Sequence, residues 1–304
     1  MHETLDTDAA VAVRIGFIGT GLIGAPMVER LLECGLDVTV WNRSPEKCTP
    51  LLAAGARLAK SPAALARNTD IVCLCLTDTA AVRDMVFGAG QLVSALRHES
   101  LVVDLSSIAP DATREMAAAL DVACGAAWLD APVSGGVPAA RAGRLIVFAG
   151  GEANDVARAA PVFSALAQRV THMGGNGAGQ LAKSCNQQIV ACNLLVIAEM
   201  LAFAERAGVD AARLPAALAG GFADSLPLQI FGPRMATNTD TPRYGAVGTF
   251  RKDIAQVVRL AADCGASTPV TTAALAQYER ALAQADIGAD ADASRLIRLV
   301  RDAS

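Results

Sequence analysis

The segment Gly16-Phe17-Ile18-Gly19-Thr20-Gly21-Leu22-Ile23-Gly24 constrains this chain more than any other. The apolar run before it, residues 11–18, reads as a strand, and residues 25–35 after it read as a helix. Between them the glycines are spaced G-x-G-x-x-G, and a strand–turn–helix context gives that spacing physical content. Gly19 would permit the tight turn, Gly21 the close approach of a ligand to the backbone, and Gly24 the packing of helix on strand. The N–H groups at the helix start, around Leu22 and Ile23, would then point at a pyrophosphate. A dinucleotide is the expected ligand.

A chain of 304 residues can bury a large core and is expected to form two domains. Only 4% of its residues are aromatic against 53% hydrophobic, so Ala, Leu and Val must do the packing. That suits closely packed helices and a parallel sheet. The net charge of −4 argues against nucleic acid as a partner, since such binding needs a basic face. The eight cysteines are scattered with no C-x-x-C pair, and His occurs only at 2, 98 and 172, so no metal site is expected. The cysteines read as small buried hydrophobes in a reducing, cytoplasmic setting. Residues 1–12 carry Glu3, Asp6 and Asp8 and no Lys or Arg, which reads as a disordered acidic tail and not as a signal or transit peptide. The most apolar long segment, 189–204, is interrupted by Asn193 and Glu199 and falls short of the ~20 apolar residues of a membrane span.

Strand-like runs at 13–18, 38–41, 71–76, 101–105, 127–129 and 145–149 alternate with helix-like segments. Residues 44–54 read as a helix with Ser44 as N-cap and Pro45 at its first position, and Ser61-Pro62 opens another in the same way. This alternation predicts an α/β fold: an N-terminal Rossmann domain, a doubly wound parallel sheet with helices on both faces, over 13–177. After the glycine-rich stretch 174–179 the pattern changes. Residues 180–208 read as one long helix, and 214–219, 248–264, 269–284 and 294–300 as further helices. The expectation is a C-terminal all-α domain, 178–304, joined by a long interdomain helix. A long apolar helix without caps is usually buried, often against a partner subunit, so a homodimer or homotetramer is expected.

The end of the second strand bears on the choice of cofactor. In NAD sites an acidic residue there accepts hydrogen bonds from the ribose 2′-hydroxyl. Here the residues are Asn42-Arg43-Ser44, and Asp37 sits at the wrong end of the strand. A carboxylate would repel a 2′-phosphate, whereas Arg43 would pair with it and Ser44 could add a hydroxyl. NADP is therefore expected over NAD.

Two further segments carry chemistry. Asp130-Ala131-Pro132-Val133-Ser134-Gly135-Gly136 follows a short strand at the carboxyl edge of the sheet, where ligands bind. Ser134 and the N–H groups of Gly135 and Gly136 could hold a substrate carboxylate, although an ordinary Ser-Gly-Gly turn would look the same. The second segment is Gly177-Ala178-Gly179-Gln180-Leu181-Ala182-Lys183-Ser184-Cys185-Asn186-Gln187. Lys183 stands one turn into the long helix, with Asn186 and Gln187 at i+3 and i+4 on the same face. That face continues into apolar residues, so Lys183 is expected to be semi-buried, where desolvation favours proton exchange near neutrality. A merely solvated lysine would oppose the dipole at this helix end.

Taken together, residues 16–27, 130–136 and 177–187 resemble the three signature regions of the β-hydroxyacid dehydrogenase family, and the resemblance covers the whole chain after the acidic tail. It implies an NADP(H)-dependent oxidoreductase moving a hydride between the nicotinamide and a small 3-hydroxyacid or its semialdehyde. It places the family's catalytic lysine on Lys183 and its substrate-binding residues on Ser134, Gly135, Gly136, Asn186 and Gln187. Cofactor contacts fall on Leu76, Thr77, Ser107 and Lys252, beside the glycine turn and Asn42-Arg43-Ser44. Many members carry two consecutive Asn after the lysine; here the second is Gln187. Asn42-Arg43-Ser44 is similar to the NADPH-using semialdehyde reductases of the family, which leaves the substrate open. Two other classes compete with this reading: a reductase of cyclic imines, which usually lacks this lysine, and a non-catalytic NADP-binding module, against which Lys183, Asn186 and Ser134 argue.

Overall fold

A computed structural model of the protein describes residues 13–88 and 92–301; the acidic tail lies outside them. The chain forms two compact units, one running to Lys183 and the other beginning at Ser184.

The first unit is built on nine strands: β1 Arg14–Ile18, β2 Asp37–Trp41, β3 Arg57–Leu58, β4 Ile71–Leu74, β5 Leu101–Asp104, β6 Ala127–Asp130, β7 Val133–Ser134, β8 Leu145–Gly150 and β9 Ala167–Gly174. They lie in the order β3-β2-β1-β4-β5-β6-β8-β7, with β9 on the other side of β8. Strands β1 to β6 pair in parallel, while β8 runs antiparallel to β6 and β7 and parallel to β9. This is the doubly wound Rossmann arrangement extended at one edge.

The central strands are apolar on both sides because both faces are covered. Ile15, Phe17, Val38, Val40, Ile71, Cys73, Leu101 and Val103 face one core, filled by Met27, Val28 and Leu31 of helix Gly24–Glu33 and by Val162 and Phe163 of helix Ala160–Leu166. The alternate residues Ile18, Val72, Leu74 and Val102 face the other core, against helices Pro62–Arg67, Thr79–Phe87 and Pro110–Cys124. The Ser61 cap forms, its Oγ accepting from Ala64 N at 3.1 Å.

In this unit the strands β3, β7 and β9 and the segment 44–54 differ from the sequence reading. Strand β3 is two exposed residues, and β7 only two, too short for periodicity to register. Strand β9 exposes Gln168, Arg169, Thr171 and His172, so it lacks the apolar run that marks a covered strand. Residues 44–54 are not one helix but a 3-10 turn, Pro45–Cys48, followed by helix Thr49–Ala53. Pro50 has no N–H for the carbonyl four residues back and its ring crowds it, so a continuous helix from Ser44 cannot pass. Ser44 precedes the turn with extended backbone, but its side chain makes no cap.

The second unit continues the helix Ala178–Arg206, which begins in the first, and adds helices Leu214–Leu218, Leu226–Ala236, Val247–Asp263, Pro269–Ala283 and Arg298–Arg301. Helix Leu226–Ala236 escaped the sequence reading because Pro233 lies inside it, although Ser225 Oγ caps it by accepting from Leu228 N at 3.2 Å. Among the described residues of this unit there is no strand. Leu194, Ile197 and Leu201 pack with Phe231, Met235, Ile254 and Tyr278, and the Tyr278 hydroxyl donates to Ala191 O at 3.0 Å.

By length and composition alone the long helix is apolar enough to cross a membrane, a test that core helices also pass, and 44% of its most apolar window is buried in the protein. Much of that apolarity serves the core of the second unit. On the outer face, Ile189, Val196 and Phe203 stand exposed at seven-residue intervals.

Candidate active site

The glycine turn is built as a phosphate cradle. Gly19 adopts φ +100°, open to glycine but strained for other residues, and a Cβ on it would overlap Cys75 O. A Cβ on Gly24 would overlap Gly19 O, so helix and turn meet this closely only because residue 24 is glycine. Gly21 is the opposite case: a Cβ there would meet nothing within 4 Å. Space therefore lies open above the turn, beside the exposed Leu22 and the half-buried Ile23. Helix Gly24–Glu33 carries no acidic residue in its first turn, so nothing opposes the positive end of its dipole. These residues fit the pyrophosphate of a dinucleotide.

At the end of β2, Asn42 ties the cradle together. Its Oδ1 accepts from Thr20 N at 3.2 Å and its Nδ2 donates to Ser44 O at 3.0 Å. Arg43 is exposed between them. The loop after β4 is fixed by Leu76 N donating to Ser106 Oγ at 2.9 Å, and Thr77 Oγ1 donates to the helix-capping Asp78 at 3.0 Å. Ser107 is half-buried just beyond β5. Ser134 ends β7, paired with Ile146 of β8, and Gly135 and Gly136 follow with φ +129° and +66°.

Lys183 is buried, at 9% exposure, in the second turn of the long helix. Asn186 and Gln187 follow on that helix. Asn186 Nδ2 donates to Gln187 Oε1 at 3.0 Å, and Gln187 Nε2 donates to Asp253 Oδ2 at 2.7 Å. Lys252 Nζ lies 3.4 Å from Asp253 Oδ1. The second unit thus brings Gln187 and Lys252 to one carboxylate, with Asn186 bonded to Gln187. Asp253 was not singled out from the sequence, although its place beside Lys252 on a helix otherwise rich in apolar contacts was the available signal.

A second group was also missed. Asp104 and Asp130 end the neighbouring strands β5 and β6 in register with each other, and both are fully buried. Asp130 Oδ1 accepts from Gly177 N at 2.8 Å and Oδ2 from Gln180 N at 2.9 Å. Asp104 Oδ1 accepts from Ser106 N at 3.0 Å, while its Oδ2 has no partner. Burial pushes both carboxyls up, Asp104 to about 7, with Asp130 adding to the effect. The signal was an acidic residue closing each of two apolar strands.

A doubly wound sheet with this cradle defines a dinucleotide-binding protein. Comparison with known proteins refines that class. Residues 14–175 match the family described as the NAD binding domain of 6-phosphogluconate dehydrogenase. Residues 177–300 match the one described as NAD-binding of NADP-dependent 3-hydroxyisobutyrate dehydrogenase. The chain is 36% identical to 2-hydroxy-3-oxopropionate reductase of Escherichia coli over 80% of its own length and 82% of that protein. It is 34% identical to 3-hydroxyisobutyrate dehydrogenase of Pseudomonas aeruginosa over 84% of its length and 88% of that protein. The structure of Psf3 in complex with NADP+ and 2-OPP superposes with a TM-score of 0.86 at 26% identity, covering 94% of this chain and 99% of that one. The chain belongs to the β-hydroxyacid dehydrogenase family and is an NAD(P)-dependent enzyme acting on a hydroxyl group or the carbonyl it becomes.

Proposed function

We propose that this enzyme uses NADP(H) to interconvert a small 3-hydroxyacid and its semialdehyde, with 2-hydroxy-3-oxopropionate the favoured substrate. The observation that carries the reading is a lysine buried one turn into the long helix, followed by two amides. A bound nicotinamide would supply or accept the hydride. Lys183 donates the proton to the developing alkoxide, and in the oxidative direction its neutral amine removes the hydroxyl proton. Asn186 and Gln187 orient substrate or lysine, with Asp253 holding Gln187. Ser134 and the N–H groups of Gly135 and Gly136 bind the substrate carboxylate, so the molecule is held at both ends. Gly19, Gly21, Leu22, Ile23 and Gly24 take the pyrophosphate, and Leu76, Thr77, Ser107 and Lys252 serve the cofactor. Residues 13–177 form the cofactor domain and 178–304 the substrate and dimerisation domain of a cytoplasmic enzyme.

Arg43 favours NADP because it is an exposed guanidinium at the end of β2, where an acidic residue would favour NAD. The test is an NADPH-oxidation assay with tartronate semialdehyde, succinic semialdehyde, glyoxylate and methylmalonate semialdehyde. The highest kcat/KM is expected with the first. Arg43→Glu should reduce kcat/KM for NADPH by roughly 10–100-fold, the scale of one lost charge-assisted contact, and spare NADH. Turnover of none of the four aldehydes defeats the substrate assignment; equal use of NADH by the wild type defeats the cofactor assignment.

The outer face of the long helix supports a homo-oligomer. Ile189, Val196 and Phe203 stand exposed at heptad spacing, as in a helix seam, with the exposed Cys185 one turn before the first of them. In Phe203→Glu, light scattering should find the monomer mass, because an unpaired charge would be buried in the seam. A wild-type mass for this variant sinks the proposal.

A further inference from the structure

We propose that Asp130 is a positioning residue for proton transfer: its carboxylate clamps the first turn of the helix Ala178–Arg206 and so fixes where Lys183 stands. This rests on the role given to Lys183 above.

The first N–H groups of a helix have no partner within it and are usually capped by a side chain at the helix start. Here the cap comes from far away. One oxygen of Asp130 takes the N–H of Gly177 and the other that of Gln180, 47 and 50 residues later in the chain. The start of the helix is therefore bolted to the end of β6 as well as to the loop before it, where Ala178 N donates to Gly175 O at 3.0 Å. Gln180 supplies a second bolt. Its Nε2 donates to Ser106 O at 2.8 Å and its Oε1 accepts from Ile108 N at 3.0 Å, so it grips the segment after β5. The seat is made for a carboxylate: a Cβ on Gly150 would lie 2.7 Å from both Asp130 oxygens, and one on Gly179 2.9 Å from Oδ2. Lys183 follows Gln180 by three residues, less than one turn, so its Cα moves with the clamp. A long lysine side chain reaches a reacting oxygen only from the right origin, and a shift of ~1 Å can cost about 100-fold in rate.

Asp130→Asn keeps the shape but turns one acceptor into a donor facing an N–H. The expected result is a fall in kcat of roughly 10–100-fold. KM and nicotinamide affinity should stay within about threefold, because the interaction lost acts in the transition state. The primary isotope effect on kcat with 4-deuterated nicotinamide should rise as chemistry becomes slower. A cap with only a structural role would lower Tm and leave kcat, KM and the isotope effect at wild-type values; that result overturns the proposal. If Asp130→Asn does not fold, Gln180→Met decides, since it leaves the carboxylate in place. A lower kcat at unchanged KM supports the clamp, and wild-type kcat rejects it. Lys183→Ala separates the two levels. Full activity there removes the lysine role and this inference with it; an inactive Lys183→Ala beside wild-type kinetics in the clamp variants removes this inference alone.

Discussion

Lys183→Ala is expected to lower kcat by roughly 10²–10⁴-fold, the usual contribution of a positioned acid or base. The dissociation constant of the nicotinamide cofactor should change by less than about twofold, because a group used in the transition state adds little to ground-state binding. The side chain is 9% exposed, so its replacement also tests whether it is retained for stability. Burying an ammonium is costly, and a lysine kept only for structure would be replaced by alanine with no selective loss of turnover. Stopped-flow turnover and nicotinamide fluorescence titration on the same preparation measure both quantities. A kcat within about tenfold of wild type would refute the acid–base role.

The second large effect concerns stability. Asp104 lies at 0% exposure with one oxygen unpartnered and Asp130 beside it on the next strand. Asp130 holds backbone N–H groups on both oxygens, which favours its ionised form, so the pair's proton belongs on Asp104. Burial raises Asp104 from 3.8 to about 7. Because the folded chain binds this proton more tightly than the unfolded chain, the group's stabilisation is full below pH 4. It is lost progressively as pH rises and is gone above about 7. Asp104→Asn keeps the acceptor for Ser106 N and mimics the neutral carboxyl, so it removes that loss. Linkage then widens the stability advantage of the variant over wild type by about 2–3 kcal/mol between pH 5 and pH 8. Denaturant melts at the two pH values provide the measurement. A pH-independent gap, or one that narrows, would show that Asp104 is ionised throughout.

The wiring of these sites explains which parts could be read in advance. The glycine turn was legible because strand, turn and helix are contiguous, although the backbone that forces glycine at position 19, Cys75 O, comes from 56 residues further on. Ser61 was legible for the same reason, its acceptor lying three residues from its donor. Ser44 looked identical, yet Pro50 decided that segment. Strand β9 was invisible because its side chains are mostly wet, and alternation marks a strand only where one face is dry. Asn42 was legible as a residue of the loop after β2, but its tie to Thr20 was not, because that partner lies 22 residues back on another strand end.

The amino-acid order alone determined the class of fold, the dinucleotide cradle, the long helix and the candidate lysine, because all four are patterns of local period or spacing. Only the tertiary structure decided which groups hold them. Gln187 meets Asp253 across 66 residues, and Asp130 meets Gly177 and Gln180 across 47 and 50. Those pairings depend on strand register and helix packing, which are set by the whole core, so no short stretch of the chain contains them.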